Sequence, residues 1–195
     1  MKAQPPENAV HPKTRAEWRA WLQENHDRGE GIWVIRYKKV SGKPFIAVSE
    51  VIEEAICYGW IDSLPRKLDK ERTMLYFAPR KERSNWSALN KSRARKMIEA
   101  GLMTPAGLGK IQSAKKDGSW NALDAVEALV IPPDLDEAFD RHPSSKEHFE
   151  AFPRSVKRGI LEWILNAKRP TTREKRVEET ARLAAENIRA NQWRK

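Results

Sequence analysis

The stretch that leaves this chain fewest options runs from Cys57 to Lys91, CYGWIDSLPRKLDKERTMLYFAPRKERSNWSALNK. An apolar helical run stops at Gly59, a residue suited to the left-handed C′ position. The next residues, Trp60 and Ile61, favour extended backbone. Pro65 and the polar residues after it predict a turn, and Thr73 to Ala78 (TMLYFA) reads as the antiparallel return strand. Pro79 closes that strand, and Ser84 or Ser87 is placed to cap a helix that ends before Gly101. Helix, hairpin and helix are thus confined to one short segment. It also holds the only cysteine, two of the three tyrosines and two of the eight tryptophans.

The flanking sequence completes the pattern. Residues 1–13 carry three prolines and predict a flexible N-terminal arm. Thr14 with Glu17 forms a capping box before a helix whose face is Trp18, Trp21, Leu22 and Asn25. Ile32 to Tyr37 (IWVIRY) is a β-branched and aromatic strand. A basic turn and a short extended piece, Phe45 to Val48, lead to a helix capped by Ser49 with the stripe Val51, Ile52, Ala55 and Ile56. Thr104-Pro105 starts another helix, because proline is tolerated at the first helical position; Leu108, Ile111 and Ala114 are its expected buried face. Pro132-Pro133 is the plausible boundary. Beyond it every signal is helical: Leu135 and Phe139, then Ser144 with Glu147, then the stripe Val156, Ile160, Trp163 and Ile164. A capping box at Thr171 and Glu174 opens the last helix. The expected fold is α+β, a small antiparallel sheet flanked by helices over residues 14–131, followed by an all-helical part over residues 132–195.

Charge narrows the function classes. The 195 residues carry a formal net charge of +10, which favours anionic partners. The charge is uneven. Arg80 to Lys96 holds seven basic residues against Glu82 alone, a local +6, whereas Asp124 to Glu150 holds eight acids against two bases, a local −6. No run approaches the ~18 apolar residues of a membrane span, and the N-terminus has no apolar signal core. One cysteine excludes an internal disulfide, and a cytoplasmic location is expected. His11, His26, His142 and His148 are scattered, so no metal or other cofactor is expected.

Several ordered motifs together resemble one known family. They are Glu53 to Ser63 (EEAICYGWIDS), Phe77 to Lys91, Ala100 to Ile111 (AGLMTPAGLGKI) and Trp163 to Glu179 (WILNAKRPTTREKRVEE), with a Trp-x-x-Trp-Leu segment at Trp18 to Leu22. The chain resembles the bacterial YdeI/OmpD-associated family, also described as bacteriocin-protection proteins. The resemblance implies a role in envelope-stress protection and an envelope-related partner. It carries over no catalytic residues.

Candidate site residues therefore come from residue chemistry. Tyr58, Trp60 and Asp62 alternate along the expected strand and would share a face, lining a pocket for a cationic or ring-shaped ligand. The alternative is that the aromatics are core and Asp62 caps a turn. The segment Pro79 to Asn90 sets Arg80, Arg83, Trp86 and Asn90 at a helix start, where guanidinium forks and free N–H groups suit an anion; the alternative is simple capping and packing. With Tyr76 added from the return strand, these eight residues form the candidate ligand site. Arg80 is expected to point into a partly open, aromatic-lined pocket. The leading expectation is a non-enzymatic envelope-stress or bacteriocin-protection factor binding an anionic or aromatic ligand or partner through this pocket. Nucleic acid held by the basic 80–96 region is the second, and acid–base chemistry at Asp62 the third. Cys57 has no base near it in sequence and reads as a buried structural thiol.

Overall fold

The computed structural model describes residues 4–192. The chain divides into two compact units, the boundary falling between Ala122 and Leu123. Leu123 and Val126 already belong to the second core, ahead of the Pro132-Pro133 pair.

The first unit runs β1 (Ala9–Val10), α1 (Arg15–Asn25), β2 (Ile32–Tyr37), α2 (Val48–Cys57), β3 (Trp60–Lys67), β4 (Arg72–Pro79), α3 (Ala88–Glu99) and α4 (Pro105–Lys116). Its sheet has the order β1-β2-β4-β3. The three long strands are antiparallel, with Ile32 opposite Phe77 and Tyr37 opposite Arg72. The sheet is mixed rather than purely antiparallel, because part of the expected arm joins it. Ala9 and Val10 pair in parallel with Trp33 and Val34, and the Asn8 side-chain amide donates to Gly31 O at 3.2 Å.

Alternation along the strands separates two faces. Ile32, Val34, Leu75 and Phe77 join the main core with Trp18, Leu22, Ile56 and Trp60. Trp33, Ile35 and Met74 form a smaller cluster on the other face. Each fully buried large side chain contributes about 1.5–3 kcal/mol. The packing is therefore weighted toward the helical side of the sheet.

Local chemistry explains where several boundaries fall. The Thr14 hydroxyl accepts from Glu17 N at 3.1 Å, but the Glu17 carboxylate turns to Lys13 N rather than Thr14 N. Helix α2 begins before Ser49, because the Glu50 carboxylate takes the Ala47 N–H at 2.9 Å; Phe45 to Ala47 is loop. Gly59 sits at φ +76° and stops α2 as expected. Pro65 does not turn the chain. It lies within β3, beside a register shift between Asp62 and Pro65, and an edge strand at a bulge can spare the missing N–H. The turn comes later, where the Asp69 carboxylate accepts from Glu71 N and Arg72 N. Thr104 caps α4 with proline at its first position. Ile111 and Ala114 are buried there, while Leu108 is exposed.

The second unit is helical throughout: α5 (Asp124–Glu127), α6 (Pro133–Arg141), α7 (Ser145–Ala151), α8 (Arg154–Leu165) and α9 (Pro170–Ala185). Leu135, Phe139, Phe149, Ile160, Ile164 and Ala181 fill its core. Two expected caps do not form. Ser144 has a left-handed backbone and makes no capping bond. Helix α9 starts one residue ahead of Thr171, because Pro170 takes the first helical position. Among the described residues no helix is long and apolar enough to cross a membrane.

Candidate functional site

The end of β4 is tied to the end of α2. Arg80 N donates to Gly59 O at 2.9 Å, so the loop after Pro79 leaves the sheet beside the glycine stop. Two further bonds lace that loop to the end of α4. Arg83, at φ +56°, donates its N–H to Asp117 Oδ2 at 3.1 Å, and Trp86 N donates to Ser119 O at 3.2 Å. The Ser87 hydroxyl then accepts from Asn90 N and opens α3. These bonds enclose a narrow cavity of about 10 Å³ lined by Arg80, Arg83, Trp86, Lys110, Asp117 and Ser119, with Lys81, Glu82, Ser84, Ser113 and Ala114 completing the wall.

Arg80 dominates this cavity. Its side chain lies over the Trp86 ring, 3.9 Å from the guanidinium carbon to the ring centre. It is enclosed rather than partly open to solvent, with only 3% of the residue exposed. Nη1 donates to Ser84 O, Ser84 Oγ and Asn85 O at 3.1–3.3 Å. Nε and Nη2 meet no acceptor, nor does the buried indole N–H of Trp86. Among the described residues no carboxylate lies within ion-pair distance of Arg80. Burial pushes its pKa down to about 10, against the opposing charge of Asp62. The Ser119 hydroxyl has no hydrogen-bond partner; Ser119, whose N–H donates to Asp117 Oδ1 at 2.9 Å, and then the Arg83 N–H hold the Asp117 carboxyl below its ordinary range.

The other candidate residues separate from this cavity. Tyr58 caps α2 and is not part of the strand, so it does not alternate with Trp60 and Asp62. Its ring packs against His26 and the Arg19 guanidinium. Trp60 is core, its indole N–H donating to His26 O at 2.8 Å. Tyr76 lies on the opposite face, edge-on to Trp33. Asp62 is half-buried opposite Phe77. Buried Asn90 accepts from Arg93 at 2.9 Å. The expected single pocket thus reduces to Arg80, Arg83 and Trp86, with Asp62 contributing charge.

A second polar cluster went unrecognised in the sequence. Glu53 and Glu54 are buried in α2 (4% and 1% exposed). Arg15 Nε and Arg19 Nη1 each meet Glu54 at 2.6 Å, and Lys96 Nζ meets Glu53 at 2.7 Å. Two adjacent acids inside the apolar run VIEEAIC were the available signal, since such a pair needs cations from neighbouring elements. Beside this network burial, and then Glu54, push the Cys57 thiol up to about 11, which agrees with a structural thiol. Among the described residues no His, Cys, Asp and Glu group could hold a metal ion.

Residues 10–110 match the model of a domain of unknown function (DUF8412), and residues 128–187 match the model described as bacteriocin-protection, YdeI or OmpD-associated. The chain belongs to the DUF8412 family, and its helical unit is a domain of the YdeI/OmpD-associated type. The first three resembling motifs fall within or at the end of the DUF8412 match, and the fourth within the YdeI/OmpD-associated match. No curated protein and no solved structure matches the chain.

Proposed function

We propose that this chain is a cytoplasmic protection protein of the YdeI/OmpD-associated type that works by binding rather than by catalysis. Its α+β unit captures an anionic group at Arg80. One observation carries the reading: a guanidinium 3% exposed, stacked on Trp86, keeps Nε and Nη2 without acceptors. A buried charge left uncompensated costs several kcal/mol, and an anion at this position would offset that cost. Calorimetric titration of the protein with inorganic and carboxylate anions tests the reading. Saturable binding that is lost in Arg80→Gln supports it, and absence of binding by any anion overturns it.

Nucleic acid is the weaker alternative. The basic residues of 80–96 do not form one exposed stripe. Arg80 and Lys91 are buried, Lys96 pairs with Glu53, and Arg93 bonds to Asn90. Only a few cations, such as Lys81, Arg83 and Arg95, are left to meet a phosphate backbone.

A further inference from the structure

We infer that one end of the sheet is a docking surface for an anionic lipid bilayer, with Val40 entering the headgroup layer; this surface is separate from the Arg80 cavity. Strand β2 ends at Tyr37, and a single turn of 3-10 helix, Lys39–Ser41, follows it, closed by Gly42 at φ +67°. That turn is pinned beside the turn between β3 and β4. Lys38 N donates to Glu71 O at 2.8 Å, Lys38 Nζ donates to Asp69 O and Lys70 O at 2.9 and 3.0 Å, and Lys43 pairs with Glu71 at 2.8 Å. Val40 is thereby held out from the fold. It is 88% exposed, more than any other large apolar side chain among the described residues. Phe45 and Val48 are exposed in the same segment, at 43% and 44%. A lone exposed apolar side chain needs no explanation. A cluster from Val40 to Val48, its outermost member flanked by Lys39 and Lys43, does.

Charge selects the partner. Residues 38–45 together with residues 66–72 hold seven basic side chains against Asp69 and Glu71, a local +5. Both acids are already paired, Asp69 with Arg72 at 2.7 Å and Glu71 with Lys43. Lys39, Lys67 and Lys70 are exposed. An anionic bilayer answers both features of this surface: its phosphates attract the lysines, and its acyl boundary receives an apolar tip. Nucleic acid answers only the first. A phosphate backbone has no apolar layer to receive Val40, and Tyr37 is half-buried against His11, with the Lys13 and Lys43 ammonium groups over its ring.

Co-sedimentation of the full chain with lipid vesicles tests the inference. Vesicles of phosphatidylcholine and phosphatidylglycerol in equal parts should retain the protein, and phosphatidylcholine alone should not. Val40→Ser should weaken retention about fivefold or more. Lys39→Glu combined with Lys70→Glu should weaken it about a hundredfold. All three positions are exposed, so the fold should survive these changes. Insertion is read separately. The native thiol, Cys57, is buried, so in Val40→Cys a polarity-sensitive dye labels the new thiol alone. Its emission should brighten and shift to the blue on the mixed vesicles only. Absence of retention by the mixed vesicles overturns the inference. Retention unchanged in Val40→Ser, or a dye that keeps its aqueous emission, overturns it as well, because contact would then be electrostatic or elsewhere. A duplex oligonucleotide bound through Lys39 and Lys70 by protein that ignores the vesicles makes this a nucleic-acid surface and overturns it too. None of these outcomes bears on the anion titration at Arg80.

Discussion

At the scale of single residues, burial changes what Arg80 is for. From sequence it reads as an exposed binding fork, replaceable at within about 0.5 kcal/mol. In the fold it fills space above Trp86 and satisfies the carbonyls of Ser84 and Asn85. Arg80→Ala should therefore cost about 2–4 kcal/mol in urea unfolding, through the cavity and the orphaned carbonyls. Arg80→Met should cost clearly less, because it keeps the stem and removes the uncompensated charge. Equal losses would mean that the hydrogen bonds to the loop dominate. His11 gives a pH prediction. Burial, then Lys13 and Arg72, push its pKa down from 6.5 to about 4, against Asp69 and Glu17. The unfolded chain thus binds a proton between these values that the folded protein does not, so stability rises with pH across that window and falls on acidification. His11→Gln should flatten the stability profile between about pH 4 and 6.5. An unchanged profile would show that His11 is not responsible.

At the scale of elements, α2 is the pivot, and its two acids are the reason. Glu54 receives Arg15 and Arg19 from α1, while Glu53 receives Arg15 and Lys96. Removing one partner from a buried pair typically costs 3–5 kcal/mol; here the arginines are partly exposed, so Glu54→Ala should fall near the lower end. Glu71→Ala, which breaks only an exposed pair with Lys43, should cost far less, because solvent screens that pair. Parallel urea titrations of the two variants measure the contrast, and similar losses would refute the special standing of the α2 network. Packing of α4 gives a second contrast. A Cβ at Gly107 would strike the Cys57 carbonyl and Met103 Sδ, because Thr104 already draws α4 onto that carbonyl. Gly107→Ala should cost about 1–3 kcal/mol by overpacking. At Gly109 nothing lies within 4 Å of the new methyl, so Gly109→Ala should be neutral or stabilising.

At the scale of the whole molecule, two separate cores predict two separable responses. Phe149→Ala removes a side chain 1% exposed from the helical core and should cost about 3–5 kcal/mol. Hydrogen exchange should then rise across residues 123–192 while residues 4–122 keep their protection. A uniform rise would mean that the two cores unfold as one. Features that depend on near neighbours are legible in the chain alone. The limits of β2, the glycine stop at Gly59, the Thr104-Pro105 start and the helical character of the second unit follow from backbone preference and short-range capping. Of the four ordered motifs, the one from Trp163 to Glu179 lies in the YdeI/OmpD-associated match, and the other three belong to the DUF8412 region. Which polar groups end up enclosed depends on contacts between distant segments. Tyr58, Trp60 and Tyr76 lie close together in sequence, yet a helix cap, the core and the opposite sheet face take one each. Glu54 and Asp117 meet partners that lie 34–39 residues away in the chain. Periodicity reports which face a residue occupies, not what meets that face. The closing of the Arg80 cavity depends on where the end of α4 comes to rest, and no local preference encodes that position.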